Sequence, residues 1–282
     1  MNFEVAPIVD ATFGARVTGL KLTEIDKATF ADLYQTWLEY ALLIFPGQHL
    51  SNDEQTAFAK RFGELEFDLV PISNVRKDGS VRPEDDDMIK LLKGNMGWHH
   101  DSTYVPIQAK GAVFTAHVVP SSGGATGWAD MRAAYDALDA TMRERIADLS
   151  AFHSLRHSQA KIGHTAKKGG DYAGYGLDQD PPLRPLVKTH PETQRKSLLI
   201  GRHAYGIVGL AEDESEALLQ ELVDFACQPP RTHYHHWEPG DAVVWDNRRL
   251  MHQATPWPMH EPRIMYHARI AGDRLSEFAA PA

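Results

Sequence analysis

The chain has one cysteine, no long apolar run and no leader-like segment at its start. Cys227 cannot form an internal disulfide, and its apolar setting predicts a buried thiol, so the cysteine content gives no sign of an oxidising compartment. No stretch approaches the roughly 18 apolar residues of a membrane-spanning helix, and residues 1–20 lack a basic segment followed by an apolar run. We therefore expect a cytoplasmic protein with no membrane segment.

Positive charge is also scarce. The 282 residues contain 29 Lys and Arg against 38 Asp and Glu, and no Lys/Arg cluster is longer than a pair. Such a chain is a poor candidate for binding a polyanion by charge alone, so we expect no nucleic-acid partner. With 43% hydrophobic residues the chain has ample material for a core, which excludes disorder, collagen and coiled coil as overall descriptions.

Short strand-like runs dominate the sequence, and a few amphipathic helices lie between them. In residues 27–40 apolar side chains recur three or four positions apart, which predicts a helix. Residues 111–119, 126–130 and 263–270 are typical of strands. The pattern predicts a mainly β fold with flanking helices, a barrel or a sandwich, in a single domain over residues 1–282.

Two polar segments interrupt this pattern. Residues 77–95 and 156–184 are rich in Gly, Lys and Asp and show no clear periodicity. Long irregular insertions in a compact domain are commonly lids or binding loops. We predict that both segments are insertion loops, and that the second is a lid.

The chain has 15 histidines, and the run Trp98-His99-His100-Asp101 carries the strongest local signal among them. In a strand, residues two apart point to the same side, so His99 and Asp101 can converge on one metal while His100 points away. An imidazole and a carboxylate are two of the three ligands of a facial triad. The alternative is a chance triplet, since a His-x-Asp sequence alone is weak evidence.

The C-terminal half supplies a third candidate ligand. His252 follows a buried strand-like run at 240–247, which places it at the end of a strand. Eleven residues later, Arg263 opens a strand in which alternation places it on one face with His267 and Arg269. If that face is inward, its cations need anionic partners. The alternative is an edge strand with its basic face in water.

At this point the sequence resembles a known family, the taurine/2,4-dichlorophenoxyacetate group of iron(II)- and 2-oxoglutarate-dependent dioxygenases. The resemblance runs along nearly the whole chain. It is carried by the His-x-Asp, the distal His and the Arg eleven residues later, and by blocks such as LLIFPGQHLSNDEQTAFAKRFG, WHHDSTY and GDAVVWDNRRLMHQA. Within the family, blocks such as RPLVKTHPET are most similar to the bacterial aryloxyalkanoate (phenoxypropionate herbicide) dioxygenases.

The resemblance implies a double-stranded β-helix, or jelly roll, with helices packed outside. It also implies roles for individual residues. The iron ligands would be His99, Asp101 and His252, and Arg263 with Thr126 would bind the distal carboxylate of 2-oxoglutarate.

For the substrate, the resemblance makes Asn95 a candidate pocket residue. Many members place a second arginine four residues after the first, where this chain has His267, with Arg269 two residues further on. We expect His267 or Arg269 to contact the substrate's acid group in its place. This difference from the family pattern affects the assignment of the substrate more than the assignment of the reaction.

The resemblance implies an enzyme that uses Fe(II), 2-oxoglutarate and O2 to hydroxylate a small organic acid. We expect an aryloxyalkanoate, whose hydroxylation cleaves the ether to a phenol and a keto acid, with succinate and CO2 as the other products. One alternative keeps the chemistry and changes the substrate to a sulfonate, an alkyl sulfate or another small acid. Alternatives of another class are a zinc-type hydrolase and an inactive metal-binding jelly roll. We also expect the chain to form a homo-oligomer.

Overall fold

The computed structural model describes residues 3–163 and 180–279, and the described residues form fifteen strands and eight helices. The strands are β1 (Glu4–Pro7), β2 (Ala15–Thr18), β3 (Leu42–Phe45), β4 (Val70–Ser73), β5 (Gly111–Val118), β6 (Thr126–Asp130), β7 (Ser150–His153), β8 (Leu183–Pro185), β9 (Val187–Thr189), β10 (Lys196–Leu198), β11 (Ala204–Ile207), β12 (Thr232–His235), β13 (Ala242–Asp246), β14 (Leu250–Ala254) and β15 (Ile264–Ile270). The helices are α1 (Lys27–Tyr40), α2 (Asn52–Lys60), α3 (Asp87–Gly94), α4 (Met131–Ala137), α5 (Ala140–Ile146), α6 (Leu155–Ala160), α7 (Glu212–Ala226) and α8 (Arg274–Glu277).

The largest sheet has seven strands in the order β1-β2-β3-β13-β5-β15-β4. Its pairings are antiparallel apart from β2 with β3. Strand β15 lies between β5 and β4, and the basic residues Arg263, His267 and Arg269 are all buried. The edge-strand alternative for residues 263–270 is therefore wrong.

A second sheet of three strands, β12-β6-β14, faces the large sheet across an aromatic core. Trp128 of β6 packs on Trp245 of β13 with the ring centroids 5.9 Å apart, and Phe114 of β5 meets Trp237 at 5.4 Å. Two mostly antiparallel sheets packed face to face, with no closed barrel, form the jelly roll that the sequence predicts. The prediction of a mainly β fold with flanking helices is confirmed.

Helices cover the outer faces of both sheets. Helix α1 begins after Asp26, whose side chain accepts a hydrogen bond from the Thr29 amide, and its buried Leu33 and Trp37 pack on the seven-stranded sheet. On the other side, α4 and α7 pack against the three-stranded sheet through a separate apolar cluster that includes Met251. A cavity remains between the two sheets, beside the aromatic core, and is lined by Phe114, Trp245 and His252.

The two predicted loops contain more regular structure than expected. Residues 87–94 of the first form α3, because Ile89 and Leu92 recur on one face and bury against Trp257. The second begins within α6 and ends within β8, and its residues 164–179 lie outside the described residues. None of the described helices has both the length and the apolar character needed to span a bilayer.

We predict that Leu33→Ala lowers the free energy of unfolding by about 2–5 kcal/mol, because it leaves a cavity under α1. Urea unfolding measures the change. The matched control is Leu275→Ala: Leu275 is 97% exposed while Leu33 is fully buried, so the control changes stability by less than about 0.5 kcal/mol. Equal losses in the two variants would contradict the packing described for α1.

Candidate metal and cosubstrate site

Two histidines face each other across a backbone bridge at the edge of the three-stranded sheet. The amide of His99 donates to the carbonyl of His252 at 3.0 Å, and the amide of His252 donates back to the carbonyl of His99 at 2.8 Å. Their ring centroids are 4.2 Å apart. His252 lies in the middle of β14, and not at the end of the preceding strand as the sequence predicted. A turn at Asn247–Arg249 starts the new strand, so this part of the prediction is wrong.

A turn, and not the predicted strand alternation, places Asp101 beside the two histidines. Residues 101–104 form a turn after the bridge, so strand alternation is not what aligns Asp101 with His99. The side chain of Asn247 holds the turn instead. Its Oδ1 accepts from the Asp101 amide at 2.8 Å and its Nδ2 donates to the Asp101 carbonyl at 3.0 Å. A buried amide thus fixes the backbone of Asp101 at both of its polar groups.

His99, Asp101 and His252 form a group that could hold a metal ion. One ligand atom from each lies within 4.8 Å of the others, and all three residues are buried. Nδ1 of His99 is 2.7 Å from the carbonyl of Gly97, an acceptor that makes Nδ1 the protonated nitrogen and leaves Nε2 with a free lone pair. His100 points elsewhere, with Nδ1 2.7 Å from the carbonyl of Asn247.

The two oxygens of the Asp101 carboxylate have different surroundings. Nη2 of Arg269 donates to Oδ1 at 2.9 Å, whereas Oδ2 accepts no hydrogen bond from the described residues and lies 3.8 Å from Nε2 of His252. Burial raises the pKa of Asp101, but Arg269 and the neighbouring histidines together lower it by more and hold that pKa well below its usual range. Asp101 is therefore ionised at neutral pH, with one oxygen held and the other directed at the histidines.

Arg269, a predicted substrate-binding residue, contacts several protein groups. Its guanidinium contacts Asp101, donates to the hydroxyl of Ser102 at 3.1 Å and lies 3.8 Å from Glu66. Arg269 balances the charge of Asp101. Its predicted role in binding a substrate stays a prediction.

The histidine rings are kept neutral by their surroundings. Burial lowers the pKa of His252 to about 4 and that of His267 to about 4, and it lowers the pKa of His99 well below the ordinary value. A neutral imidazole is the form that binds a metal. His267 stacks on Trp245 with an interplanar angle of 3°, and its Nε2 is 3.4 Å from Oδ2 of Asp101. Its role in binding a substrate stays a prediction.

Arg263 lies in the same cavity as the triad and is 2% exposed. Nη2 donates to the carbonyl of Gly124 at 3.2 Å, and Nε has no hydrogen-bond partner among the described residues. Burial lowers the pKa of Arg263 to about 10, which still leaves it charged at pH 7. Thr126, at the start of β6, lines this cavity too. A buried cation without a carboxylate partner favours an anionic ligand.

The cavity contains a third arginine, Arg202, which the sequence did not predict. Arg202 follows β10, donates to the carbonyl of Gly94, and keeps Nη2 without a hydrogen-bond partner in the described part of the chain. Burial lowers the pKa of Arg202 to about 10. Nothing in the local sequence GRHA marks it, because long-range packing brings it to the cavity. Asn95, the C-cap of α3, also lines the cavity, and its role there stays a prediction.

The lining as a whole is positive and partly apolar. Among its described residues are three arginines and four histidines but a single carboxylate, that of Asp101. The remaining lining includes Leu91, Tyr104, Phe114 and Leu155. Such a cavity attracts anions and offers apolar surface to a ring or an alkyl chain.

The geometry and the comparisons with known proteins agree. Two imidazoles and one carboxylate on a jelly roll are typical of mononuclear non-haem iron oxygenases. Residues 4–269 match the family described as taurine catabolism dioxygenase TauD, TfdA family. The chain therefore belongs to the TauD/TfdA family of dioxygenases.

Relatives within the family are similar over nearly their whole length. The chain is 65% identical to the (S)-phenoxypropionate/alpha-ketoglutarate-dioxygenase of Sphingobium herbicidovorans, with 98% of each chain covered. It is 58% identical to the enzyme of the same name from Delftia acidovorans, with 96% of each covered. A crystal structure of AAD-2 in complex with Mn(II) and N-oxalylglycine superimposes with a TM-score of 0.89 at 36% identity, covering 96% of this chain and 98% of that one.

We predict that Arg269→Met lowers the free energy of unfolding of the metal-free protein by about 3–5 kcal/mol, because it leaves the carboxylate of Asp101 buried and unpaired. Urea unfolding at pH 7 measures the loss. Arg274→Met, at an exposed position in α8, is the control and changes stability by less than about 0.5 kcal/mol.

A second variant tests whether the loss of stability comes from the unpaired negative charge of Asp101. Adding Asp101→Asn to Arg269→Met removes the uncompensated negative charge, so the double variant is more stable than the single one. A double variant less stable than Arg269→Met would show that Arg269 does not act by balancing Asp101.

Proposed function

We propose that His99, Asp101 and His252 hold Fe(II), and that Arg263 and Thr126 hold the distal carboxylate of 2-oxoglutarate, for the oxidation of an aryloxyalkanoic acid. The observation that carries this proposal is a cavity in which one metal-ligand group is accompanied by two arginines with unpaired nitrogens. Two arginines that form no ion pair with the described residues fit two separate acids, a cosubstrate and a substrate. Membership of a dioxygenase family favours this function over a zinc-type hydrolase or an inactive jelly roll.

The residues fit the cofactors that the family uses, which are Fe(II), 2-oxoglutarate and O2. Oδ2 of Asp101 accepts no hydrogen bond from the described residues, and the contact of His99 with the Gly97 carbonyl uses Nδ1 and leaves Nε2 for a metal. Bound Fe(II) supplies open positions for the 2-oxo acid and O2, and couples loss of CO2 from 2-oxoglutarate to hydroxylation of a substrate C–H bond. The protein's part is to hold both acids and to keep the reacting C–H close to the metal.

Arg202 is the group we assign to the carboxylate of the substrate. It lines the same cavity as Leu91, Tyr104 and Leu155, which offer an apolar surface to an aryl ring. The two relatives named for phenoxypropionate support a substrate of this class. Hydroxylation of the carbon that bears the aryloxy group gives a hemiketal, which expels a phenol and leaves a keto acid. The cytoplasmic location and the homo-oligomeric assembly stay predictions.

We predict that anaerobic addition of Fe(II) and 2-oxoglutarate to the metal-free protein produces a weak visible charge-transfer band, because the 2-oxo acid chelates the metal. Replacing a ligand abolishes it, so His252→Ala shows no band. His260→Ala, an exposed histidine, keeps the band and is the matched control. If folded wild-type protein shows no band, or if the band persists in His252→Ala, the proposed metal site is contradicted.

We predict that Arg202→Met raises the KM for a 2-aryloxypropionate about 10- to 100-fold, the range expected for the loss of a hydrogen-bonded charge. The KM for 2-oxoglutarate stays unchanged, because Arg263 binds that acid. Release of the phenol and formation of succinate are the two readouts. Arg145→Met, whose side chain is 52% exposed, is the control.

Two outcomes would change the assignment of Arg202 or of the substrate class. An unchanged KM in Arg202→Met would contradict the role of Arg202. Succinate formed with an alkyl sulfate or a sulfonate but not with the aryloxy acid would replace the substrate class while keeping the metal and cosubstrate sites.

A further inference from the structure

Trp237 makes a hydrogen bond that its buried neighbours lack. Its indole Nε1 donates to Oγ1 of Thr126 at 3.0 Å. The other buried tryptophans of the described residues leave Nε1 without a hydrogen-bond partner; they are Trp37, Trp128, Trp245 and Trp257. The pairing of Trp237 with Thr126 is therefore specific and does not follow from burial alone.

This bond restricts what the hydroxyl of Thr126 can do. A threonine hydroxyl has one hydrogen to donate and two lone pairs, and an indole N–H can only donate. Because Trp237 occupies a lone pair of Oγ1, the hydrogen of Thr126 has to point to another acceptor. No acceptor for it is found among the described residues. Thr126 and Arg263 line the same cavity, so the free hydrogen can be directed to a ligand there.

We propose that Trp237 is a positioning residue that orients the hydroxyl of Thr126 as a hydrogen-bond donor toward the distal carboxylate of 2-oxoglutarate. A carboxylate only accepts hydrogen bonds, so a hydroxyl fixed as a donor is complementary to it. Trp237 thereby sets the affinity for the cosubstrate without touching it. The inference rests on the proposed function, in which Thr126 and Arg263 bind that carboxylate.

The indole of Trp237 is held firmly enough for this task. Its ring lies edge-on to Phe114 at 5.4 Å and to His235 at 4.7 Å, and it is 9% exposed. His235 is fixed in turn, since its Nε2 lies 3.0 Å from Oδ2 of Asp241, in the connection between β12 and β13. The direction of the indole N–H is therefore set by packing between the two sheets.

The experiment compares 2-oxoglutarate affinity in Trp237→Phe, Thr126→Val and the double variant, by anaerobic titration of the Fe(II) protein. Phenylalanine keeps an aromatic ring between the sheets and removes the N–H together with part of the bicyclic ring, a loss of volume that the Trp128→Phe control shares. We expect each single variant to weaken binding about tenfold, and the double variant to bind no more weakly than Thr126→Val. Non-additivity is expected because both changes remove the same interaction.

A second ligand and a matched variant separate positioning from packing. 2-Oxobutyrate lacks the distal carboxylate, so its affinity is the same in wild type and in Trp237→Phe. Trp128→Phe makes the same substitution next to Trp237 at an indole without a partner, and it leaves 2-oxoglutarate affinity unchanged. Calorimetric titration of the Mn(II) protein with N-oxalylglycine repeats the comparison without turnover.

The outcomes distinguish this inference from the function on which it rests. The inference is overturned if Trp237→Phe still weakens 2-oxoglutarate binding in the Thr126→Val background, if it weakens 2-oxobutyrate equally, or if it has no effect. Wild-type protein that does not bind 2-oxoglutarate would overturn the proposed function, and this inference with it.

Discussion

The ion pair between Asp101 and Arg269 is the interaction on which the site depends. A carboxylate buried between two sheets has to be paired, and Arg269 pairs it through one oxygen. The other oxygen is left beside two histidines that burial keeps neutral. Because Asp101 and Arg269 balance each other, the cavity retains the charge of Arg263 and Arg202. Among the described lining residues, the one carboxylate therefore lies beside the histidines, and Arg263 and Arg202 form no ion pair with the described residues.

Backbone geometry supplies the second constraint. The reciprocal hydrogen bonds between His99 and His252 fix the two imidazoles at the edge of a sheet, where neither can move without breaking the bridge. Asn247 fixes the third member by binding both backbone groups of Asp101. The site is therefore built on strands and on a buried amide, which hold a ligand set more accurately than mobile loops do.

The sequence predicts much of this and misses the rest for identifiable reasons. Helix α1 and the shared face of His267 and Arg269 on β15 follow from local periodicity, which a single sequence displays, but that this face is buried does not. His99, Asp101 and His252 could be grouped by their types and by family resemblance, but the turn at Asp101 could not, because the side chain that shapes it comes from Asn247, more than a hundred residues away. Arg202 lies in the cavity, and Arg269 contacts Asp101, because of packing between distant parts of the chain. A local sequence pattern does not predict such packing.

The most direct test of the account is an anaerobic crystal structure with Mn(II) and 2-oxoglutarate. The account predicts one metal ion bound by His99, Asp101 and His252, with Arg269 still on the second oxygen of Asp101. It also predicts the distal carboxylate of 2-oxoglutarate on Arg263 and Thr126. A metal bound by His267 in place of one of these ligands, or 2-oxoglutarate with its distal carboxylate on Arg202, would contradict the account.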